Sequence, residues 1–405
     1  MLEQNLLLTS GIIITFSLYF WFRFKRIFCL PILFNAYAFL YFVVGCIIYK
    51  YDILNGKNDE YLTLVSFLTF VACLGFNIGY VLIPKKYRYD KNIILRAYTP
   101  SFQSVAALFF IGVLAQSYVI LKVGPIDFFL IDRKDRFPIM NQYQNILFIA
   151  KVVDVALIFS IFRFFKFKTS RDRYLTSAIL FYNLFFAIIL ISRSSLAFNF
   201  ICVFFFLELF KVISTKKILL LGLSMAACMF FYKGVLYAWI LDDADYGSYN
   251  PGEFVNWIRN SMTMLKEGYT SDMLPNNSYW IALKSIFMVD PGGEGLSVWF
   301  IKEFYSDSYV SGLTYGFSGI IEGYLYLGTI GVFLHFLLIG IFFSYLEKKP
   351  SAIKIVLVIC AMFIMFRLFR SEIYNFARTY SWYYVYQVLI IVVFDIFLKR
   401  WKKEY

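Results

Sequence analysis

The segment from Tyr315 to Gly331, YGFSGIIEGYLYLGTIG, opens a hydrophobic run that continues through VFLHFLLIGIFFSYL to Leu346. No acidic or basic residue other than a histidine follows Glu322 in this run, which is typical of a helix that crosses a membrane. Glu322 itself lies among glycines and tyrosines near the start. Because an uncompensated carboxylate in lipid is costly, we expect Glu322 either to face water or to serve a purpose inside the protein. The segment therefore predicts a membrane fold and a functional acid.

The composition extends this interpretation to the whole chain. Of its 405 residues, 60% are hydrophobic and 22% are aromatic, with 49 phenylalanines and 32 tyrosines. Long apolar runs predict an all-α polytopic membrane protein with about eleven transmembrane helices. The predicted spans are Asn5–Trp21, Ile27–Tyr49, Tyr61–Ile83, Ser101–Leu121, Ile146–Phe162, Tyr174–Ile191, Leu196–Phe210, Ile218–Trp239, Gly319–Tyr345, Ile355–Phe366 and Trp382–Leu398.

Positive charge is distributed unevenly between the predicted loops. The segments RFKR after the first span, KKYRYDK after the third, RFFKFKTSRDR after the fifth and KRWKK near the C-terminus all fall on one side. Since cytoplasmic loops carry an excess of Lys and Arg, we predict a cytoplasmic C-terminus and a periplasmic N-terminus in a bacterial inner membrane. The net charge of +13 then follows from topology, and no nucleic-acid partner is needed to explain it.

One predicted periplasmic loop, 241–318, is much longer than the others. It connects helices within 1–240 to helices within 319–405, and we expect all three parts to form a single integrated membrane domain. Capping residues and apolar periodicity predict three short helices in the loop, within NPGEFVNWIRNSMTMLKEG, NNSYWIALKSIFMV and GLSVWFIKEFY. The residues that share the apolar face of the first helix are Phe254, Trp257, Ile258, Met262 and Leu265. Aromatic and acidic residues here suit a hydrated ligand with apolar faces, and an aromatic belt at the membrane interface is the alternative.

Several arginines lie at the predicted outer ends of the spans. Arg193 follows Ser192 in a short turn, and Arg367, Arg370 and Arg378 lie in FRLFRSEIYNFARTYSW between the last two spans. Because arginine stays charged and binds phosphate through parallel hydrogen bonds, this set suits a lipid-linked phosphate or diphosphate. Contact with phospholipid headgroups or helix carbonyls is the alternative.

Other chemistry-bearing residues have simpler explanations. Lys151 and Asp154 are three residues apart in a predicted span and can pair with each other. The lone His335 is typical of a packed core position. The sequence contains no P-loop, GxSxG, HExxH or CxxC motif, and the acidic turn LDDAD is better explained by solvation than by metal binding. We therefore expect neither a metal site nor a cofactor.

Four features in this order resemble the Wzy-type O-antigen polymerases of bacterial inner membranes. They are about ten to twelve helices, the SR turn that ends at Arg193, the large outer loop before SGIIEGYLYLGTIG, and FRLFR after the next helix. The motifs are short, but together they span most of the chain. The resemblance implies a C-type glycosyltransferase-like fold that joins undecaprenyl-diphosphate-linked oligosaccharide repeat units on the periplasmic face. A flippase and a chain-length regulator are the protein partners it implies.

The resemblance also implies roles for individual residues. The arginines would hold the diphosphate leaving group, and Glu322 would act as general base or orient the acceptor hydroxyl. The predicted catalytic residues are Glu322, Arg193, Arg367 and Arg370, and the predicted substrate-binding residues are Arg378, Asp290, Glu294, Tyr315 and Tyr324. A structural salt bridge between Glu322 and one of the arginines is the alternative for that acid.

Three rival functions remain at this point. O-antigen ligases share the architecture but are expected to carry a histidine in the large loop, and the loop has none. A flippase or other secondary transporter would more often show two similar halves and short outer loops. A non-catalytic assembly protein would keep the topology without needing the arginines. The polymerase is therefore favoured.

Overall fold

A computed structural model of the chain describes residues 1–57, 59–83, 95, 98–124, 128, 142–189, 193–224, 252–287, 294–306, 317–348 and 351–404. Within these ranges the secondary structure is helical and contains no strand. The main helices are α1 (Leu2–Phe24), α2 (Leu30–Ile53), α3 (Glu60–Leu82), α4 (Phe102–Val123), α5 (Asn145–Phe167), α6 (Ser170–Ile189), α7 (Arg193–Leu209), α8 (Gly252–Lys266), α9 (Ser278–Ile286), α10 (Leu296–Phe304), α11 (Gly319–Leu346), α12 (Ala352–Arg370) and α13 (Ile373–Trp401).

Eight helices of the described ranges are long and apolar enough to cross a membrane, namely α1 to α5 and α11 to α13. The chain is therefore a multi-pass helical membrane protein, which confirms the predicted class. The sixth predicted span corresponds to α6, which is not among these eight. The seventh corresponds to α7, whose apolar part, Ser194–Leu209, is shorter. The eighth, Ile218–Trp239, lies mostly outside the described residues.

The chain forms two compact units. Unit 1 comprises Met1–Arg88, Asn250–Lys349 and Ile364–Thr379, and so contains α1 to α3 and α8 to α11. Unit 2 comprises Tyr89–Tyr249, Pro350–Phe363 and Tyr380–Tyr405, and so contains α4 to α7. Helices α12 and α13 each contribute residues to both units.

Glycines bring α3 and α11 of unit 1 into close contact. A Cβ atom added to Gly79 would overlap the backbone of Leu337, and one added to Gly340 would overlap the backbone of Phe76. Small residues are needed at such positions because the helix backbones themselves touch. Glu347, just after α11, binds the Leu30 N–H at 3.1 Å, which fixes the far end of α11 beside the start of α2.

Helix α11 reverses direction within its length. The backbone leaves helical geometry at Leu327 and at Gly328, where a φ of 59° and a ψ of −148° favour glycine. A Cβ atom added to Gly319 would lie 2.9 Å from His335 Nε2. Sixteen residues of straight helix span about 24 Å, so this proximity requires the chain to fold back. The predicted uninterrupted span Gly319–Tyr345 is thus a hairpin of a short first arm, 319–326, and a longer second arm, 329–346.

The two arms of α11 touch through glycines. A Cβ atom added to Gly323 would lie 3.0 Å from Val332 Cα, and one added to Gly331 would overlap the Gly323 carbonyl. This close approach is available only to residues without side chains. It explains physically why the hydrophobic run does not continue as one straight helix.

The three helices predicted in the large loop are confirmed as α8, α9 and α10. Trp257, Ile258 and Met262 of α8 are buried, as expected for the predicted apolar face. Trp257 Nε1 donates to the carbonyl of Tyr41 at 3.2 Å. Tyr41 lies in a π-helical stretch of α2. A Cβ atom added to Gly45 of α2 would lie 2.7 Å from the α8 backbone. Helix α8 is therefore packed into unit 1 against a transmembrane helix.

Buried ion pairs and caps hold unit 2 together. Arg163 Nε of α5 lies 2.7 Å from Asp172 Oδ1 of α6, and both side chains are almost fully buried. Asp395 of α13 is completely buried and accepts from the Ser101 N–H at 2.6 Å and from Ser104 Oγ at 2.8 Å. A carboxylate at this position stabilises the positive end of the α4 dipole.

Candidate functional site: a buried carboxylate cluster

Glu322 lies on the first arm of α11, inside unit 1. Its side chain is 0% exposed. Ser278 Oγ of α9 donates to Glu322 Oε1, and the Ile373 N–H donates to Glu322 Oε2 at 2.8 Å. Glu322 does not face water: it lies in packed protein, and both of its carboxylate oxygens accept hydrogen bonds. Among the described side chains, no arginine pairs with Glu322, so the salt-bridge alternative is not observed.

A second acid, Glu372, lies next to the first. Glu372 immediately precedes Ile373, whose N–H binds Glu322, so the two carboxylates flank one stretch of backbone. Glu372 is also 0% exposed. Ser297 Oγ of α10 donates to Glu372 Oε2, and Asn375 Nδ2 donates to Oε1 at 2.9 Å. We call the two acids with their serine partners the carboxylate cluster.

Burial changes the acidity of Glu372. Removal from water raises the pKa of its carboxyl above the ordinary value of 4.5, and the hydrogen bonds from Ser297 and Asn375 act in the opposite direction. Glu372 lies between α12 and α13, outside the membrane-spanning helices. The protonated acid is therefore more favourable here than in an exposed loop.

The cluster has a polar wall made by α9 and α11. The Tyr279 hydroxyl and His335 Nδ1 are hydrogen bonded at 2.7 Å. The Tyr326 hydroxyl accepts from the Ser278 N–H at 2.9 Å and donates to the Asn276 carbonyl at 3.1 Å. These contacts fix the start of α9 against both arms of α11. His335 is 5% exposed and is a packed core residue, as predicted.

Three arginines flank Glu372 along the chain, with Arg367 and Arg370 at the end of α12 and Arg378 in the first part of α13. The guanidinium carbon of Arg370 lies 4.9 Å from the centre of the Phe366 ring. Arg378 Nη1 donates to the Tyr374 hydroxyl at 3.2 Å. All three arginines of this segment, including Arg367, are half-buried. These aromatic contacts restrict the positions of the guanidinium groups of Arg370 and Arg378.

The remaining predicted site residues fall into three groups. Tyr324 is half-buried and packs against the apolar cluster of Met264, Phe300 and Ile321. It directly follows Gly323, which contacts the second arm of α11. Glu294 lies just before α10 and is exposed. It forms an ion pair with Lys302, near the end of that helix. Asp290, Tyr315 and the side chain of Arg193 lie outside the described residues, although the backbone of Arg193 begins α7 in unit 2.

Glu372 and the two serines are not among the predicted site residues. Glu372 lies two residues after Arg370, in the same quoted segment, and an acid between two spans next to arginines is the signal that identifies it. Ser278 and Ser297 gave no comparable signal, because they act only through contacts between the loop helices and the membrane helices.

No group of three or more His, Cys, Asp or Glu side chains able to hold a metal ion occurs in the described part of the chain. The ion pair predicted between Lys151 and Asp154 is confirmed, with Nζ and Oδ2 3.1 Å apart.

Comparisons of this chain with protein-family models, with curated proteins and with solved structures find no match. The chemistry of the carboxylate cluster therefore rests on its own residues.

Proposed function

We propose that the protein is a membrane glycosyltransferase that polymerises lipid-linked oligosaccharide repeat units on the periplasmic face of a bacterial inner membrane. The observation that supports this most directly is the carboxylate cluster, in which helices of the large loop bind acids beside the arginine-bearing segment of residues 367–378. Its similarity in motif order to Wzy-type polymerases, and with it a C-type glycosyltransferase-like fold, belongs to the same proposal.

The proposed reaction uses an acid and a set of fixed cations. A hydroxyl of the acceptor repeat unit attacks the anomeric carbon of the growing chain, and the bond from that carbon to the lipid diphosphate breaks. Glu322 accepts the hydroxyl proton, and the arginines stabilise the negative charge that the diphosphate gains. Atoms and charge balance without a metal or a cofactor.

The hydrogen bond from Ser278 suggests how the acceptor is received. Ser278 Oγ–H donates to Glu322 in the same way that a sugar hydroxyl would donate to a carboxylate that orients it. Since Glu322 is fully buried, the acceptor has to displace Ser278 and with it the start of α9. In this proposal, α9 of the large loop is the element that moves when the acceptor binds.

Transport is the second candidate function, and one observation favours it. Discontinuous helices at ligand sites are common in secondary transporters, and α11, which carries the buried acid Glu322, is interrupted at Leu327 and Gly328. A flippase for lipid-linked saccharides would use the same substrate class but would break no glycosidic bond.

Replacing arginines separates the two functions. Arg370→Lys and Arg193→Lys keep the positive charge but lose the planar fork that binds diphosphate through two bonds. We expect purified variants to extend lipid-linked repeat units at least about tenfold more slowly than the wild type. Arg171→Lys is the matched control. Arg171 is exposed near the start of α6, at the end of that helix that is distant from Arg193.

The assay is the glycan ladder formed from purified lipid-linked units, with EDTA added in a parallel reaction. Normal ladders from both arginine variants would show that these arginines do not hold the diphosphate. Loss of activity with EDTA would contradict the metal-free mechanism. In cells, single repeat units that accumulate on the outer surface support the polymerase, whereas units retained inside support the flippase.

A further inference from the structure

Unit 2 contains a cavity of about 270 Å³ that the carboxylate cluster does not explain. Its walls are formed by α4, α5, α6, α7 and the beginning of the unit 2 part of α13, so every lining residue belongs to this unit. The space exceeds what one water molecule needs and suits a ring-sized ligand. It lies toward the end of these helices that carries Arg193, the end that the charge pattern predicts to be periplasmic.

Two amide side chains of this cavity have unused hydrogen-bonding atoms. Asn199 is 1% exposed, and its Nδ2 donates to the Ser195 carbonyl at 2.8 Å, which leaves Oδ1 without a partner among the described residues. Asn183 Nδ2 is likewise buried and has no partner in the described ranges. A buried polar atom without a partner is costly, so these positions indicate a bound molecule that supplies a donor and an acceptor. A hydroxyl group supplies both.

The other polar groups in the wall can extend the same recognition. The Tyr182 hydroxyl donates to Gln116 Oε1 at 3.1 Å, which leaves the amide of Gln116 with donors and the hydroxyl of Tyr182 with acceptor capacity. The rings of Tyr182, Phe186 and Tyr383 provide apolar faces beside these groups. Amides with aromatic faces match a ligand that carries hydroxyls around its edge and C–H bonds on its faces.

The charges in the wall exclude some ligands. Lys151 and Asp154 both line the cavity, and their side chains are paired at 3.1 Å. A phosphate would need an available cation, and an amino-acid zwitterion would need the pair to be separated. The lining therefore favours a neutral ligand.

We propose that this cavity is a binding site for one neutral sugar residue. The site is distinct from the carboxylate cluster, because it lies in unit 2 and shares none of the cluster's residues. The inference goes beyond the proposed function and does not depend on it, since a protein that moves saccharides has the same use for the site.

Saturation-transfer difference NMR on the full chain in lipid nanodiscs tests the proposal. The probes are D-galactose and N-acetyl-D-glucosamine as neutral sugars, with L-alanine as the zwitterion. We expect saturation transfer to the ring protons of at least one sugar. Asn199→Leu and Asn183→Leu should weaken its apparent affinity by about tenfold or more, because each removes a hydrogen-bonding partner of the ligand. Ser160→Ala is the control, since its buried hydroxyl donates to the Leu157 carbonyl within α5 and does not line the cavity.

Tyr182→Phe is a third cavity variant, which removes one hydroxyl and keeps the aromatic ring, so the test does not depend on the asparagine variants alone. Transfer to neither sugar, transfer to L-alanine instead, or sugar affinity unchanged in all three cavity variants would overturn the proposal. Binding that persists in Glu322→Gln, alongside lost polymerisation, separates this site from the proposed reaction. Normal polymerisation without sugar binding would refute this site alone.

Discussion

The carboxylate cluster of unit 1 and the cavity of unit 2 bury polar groups in opposite ways. In unit 1, Glu322 and Glu372 are completely buried, and each carboxylate oxygen accepts a hydrogen bond from a serine, an amide or a backbone N–H. In unit 2, the buried Asn199 and the half-buried Asn183 line a cavity, and each has a buried polar atom without a partner in the described ranges. Protein groups satisfy the acids of the first site, whereas two polar atoms of the second site have no partner among the described residues and are available to a ligand.

This difference separates positioning from recognition. A satisfied buried acid stabilises the elements that bind it, here the loop helices α9 and α10 against α11 and the α12–α13 connection. An unsatisfied buried amide lowers stability until a ligand or water fills the gap. Polar burial in a membrane protein therefore indicates a function only after the hydrogen bonds of each group have been counted.

Replacing one acid and one amide by leucine gives the largest expected contrast. Glu322→Leu leaves the Ser278 hydroxyl and the Ile373 N–H without their acceptor, so we expect a loss of about 2–6 kcal/mol in the free energy of unfolding. Asn199→Leu removes an atom that is already unsatisfied, and its cost should stay below about 1 kcal/mol. Thermal unfolding of the purified variants in one detergent measures both. Equal losses would show that the two units do not differ in this way.

Glu322→Gln is the control for the acid. An amide can accept from the Ile373 N–H and donate to Ser278 Oγ, so stability should be nearly preserved. Removing the basicity should still slow polymerisation by roughly 10²–10⁴ if Glu322 takes the acceptor proton. A stable and fully active Glu322→Gln variant would assign the acid to positioning alone.

Much of unit 1 was predictable from local patterns. The three loop helices follow from capping residues and apolar periodicity, and both signals act within about four residues along the chain. The buried positions Trp257, Ile258 and Met262 were predicted for the same reason. In unit 2, the pairing of Lys151 with Asp154 was predictable as well, because residues three apart face each other on a helix.

The reversal of α11 was not predicted, although its length contains a hint. A straight helix over Gly319–Tyr345 would extend about 40 Å, well beyond the roughly 30 Å of a membrane core. The positive φ of Gly328 and the contact between Gly323 and Gly331 produce the hairpin. Hydropathy alone does not distinguish a long span from a hairpin, because the apolar residues continue across the turn. The partners Ser278 and Ser297 depend on contacts distant in sequence, which no local pattern reports.

A smaller effect is expected from pH, through Glu372. Burial raises the pKa of this carboxyl in the folded protein above its ordinary 4.5. Its favourable contribution is therefore complete below pH 4.5 and is lost as the pH rises through the folded pKa. We expect the thermal midpoint to fall as the pH increases from about 4.5, and we expect Glu372→Gln to flatten that dependence. The difference between the wild-type and variant midpoints isolates this acid. A midpoint that depends on pH identically in both proteins would mean that burial does not raise the pKa of Glu372.

The smallest expected effect concerns the charged pair at the edge of the unit 2 cavity. The side chain of Lys151 is 45% exposed and that of Asp154 is 13% exposed, so solvent weakens their attraction. Lys151→Gln should therefore cost less than about 0.5 kcal/mol, and high salt should remove most of the difference. Lys217→Gln is the matched control, because Lys217 is exposed in a predicted cytoplasmic loop. If Lys151→Gln instead costs several times more and salt has no effect, Asp154 lies in a low-dielectric environment. The pair would then resemble the satisfied acids of unit 1, and the cavity would contain a structural charge pair in addition to its unsatisfied amides.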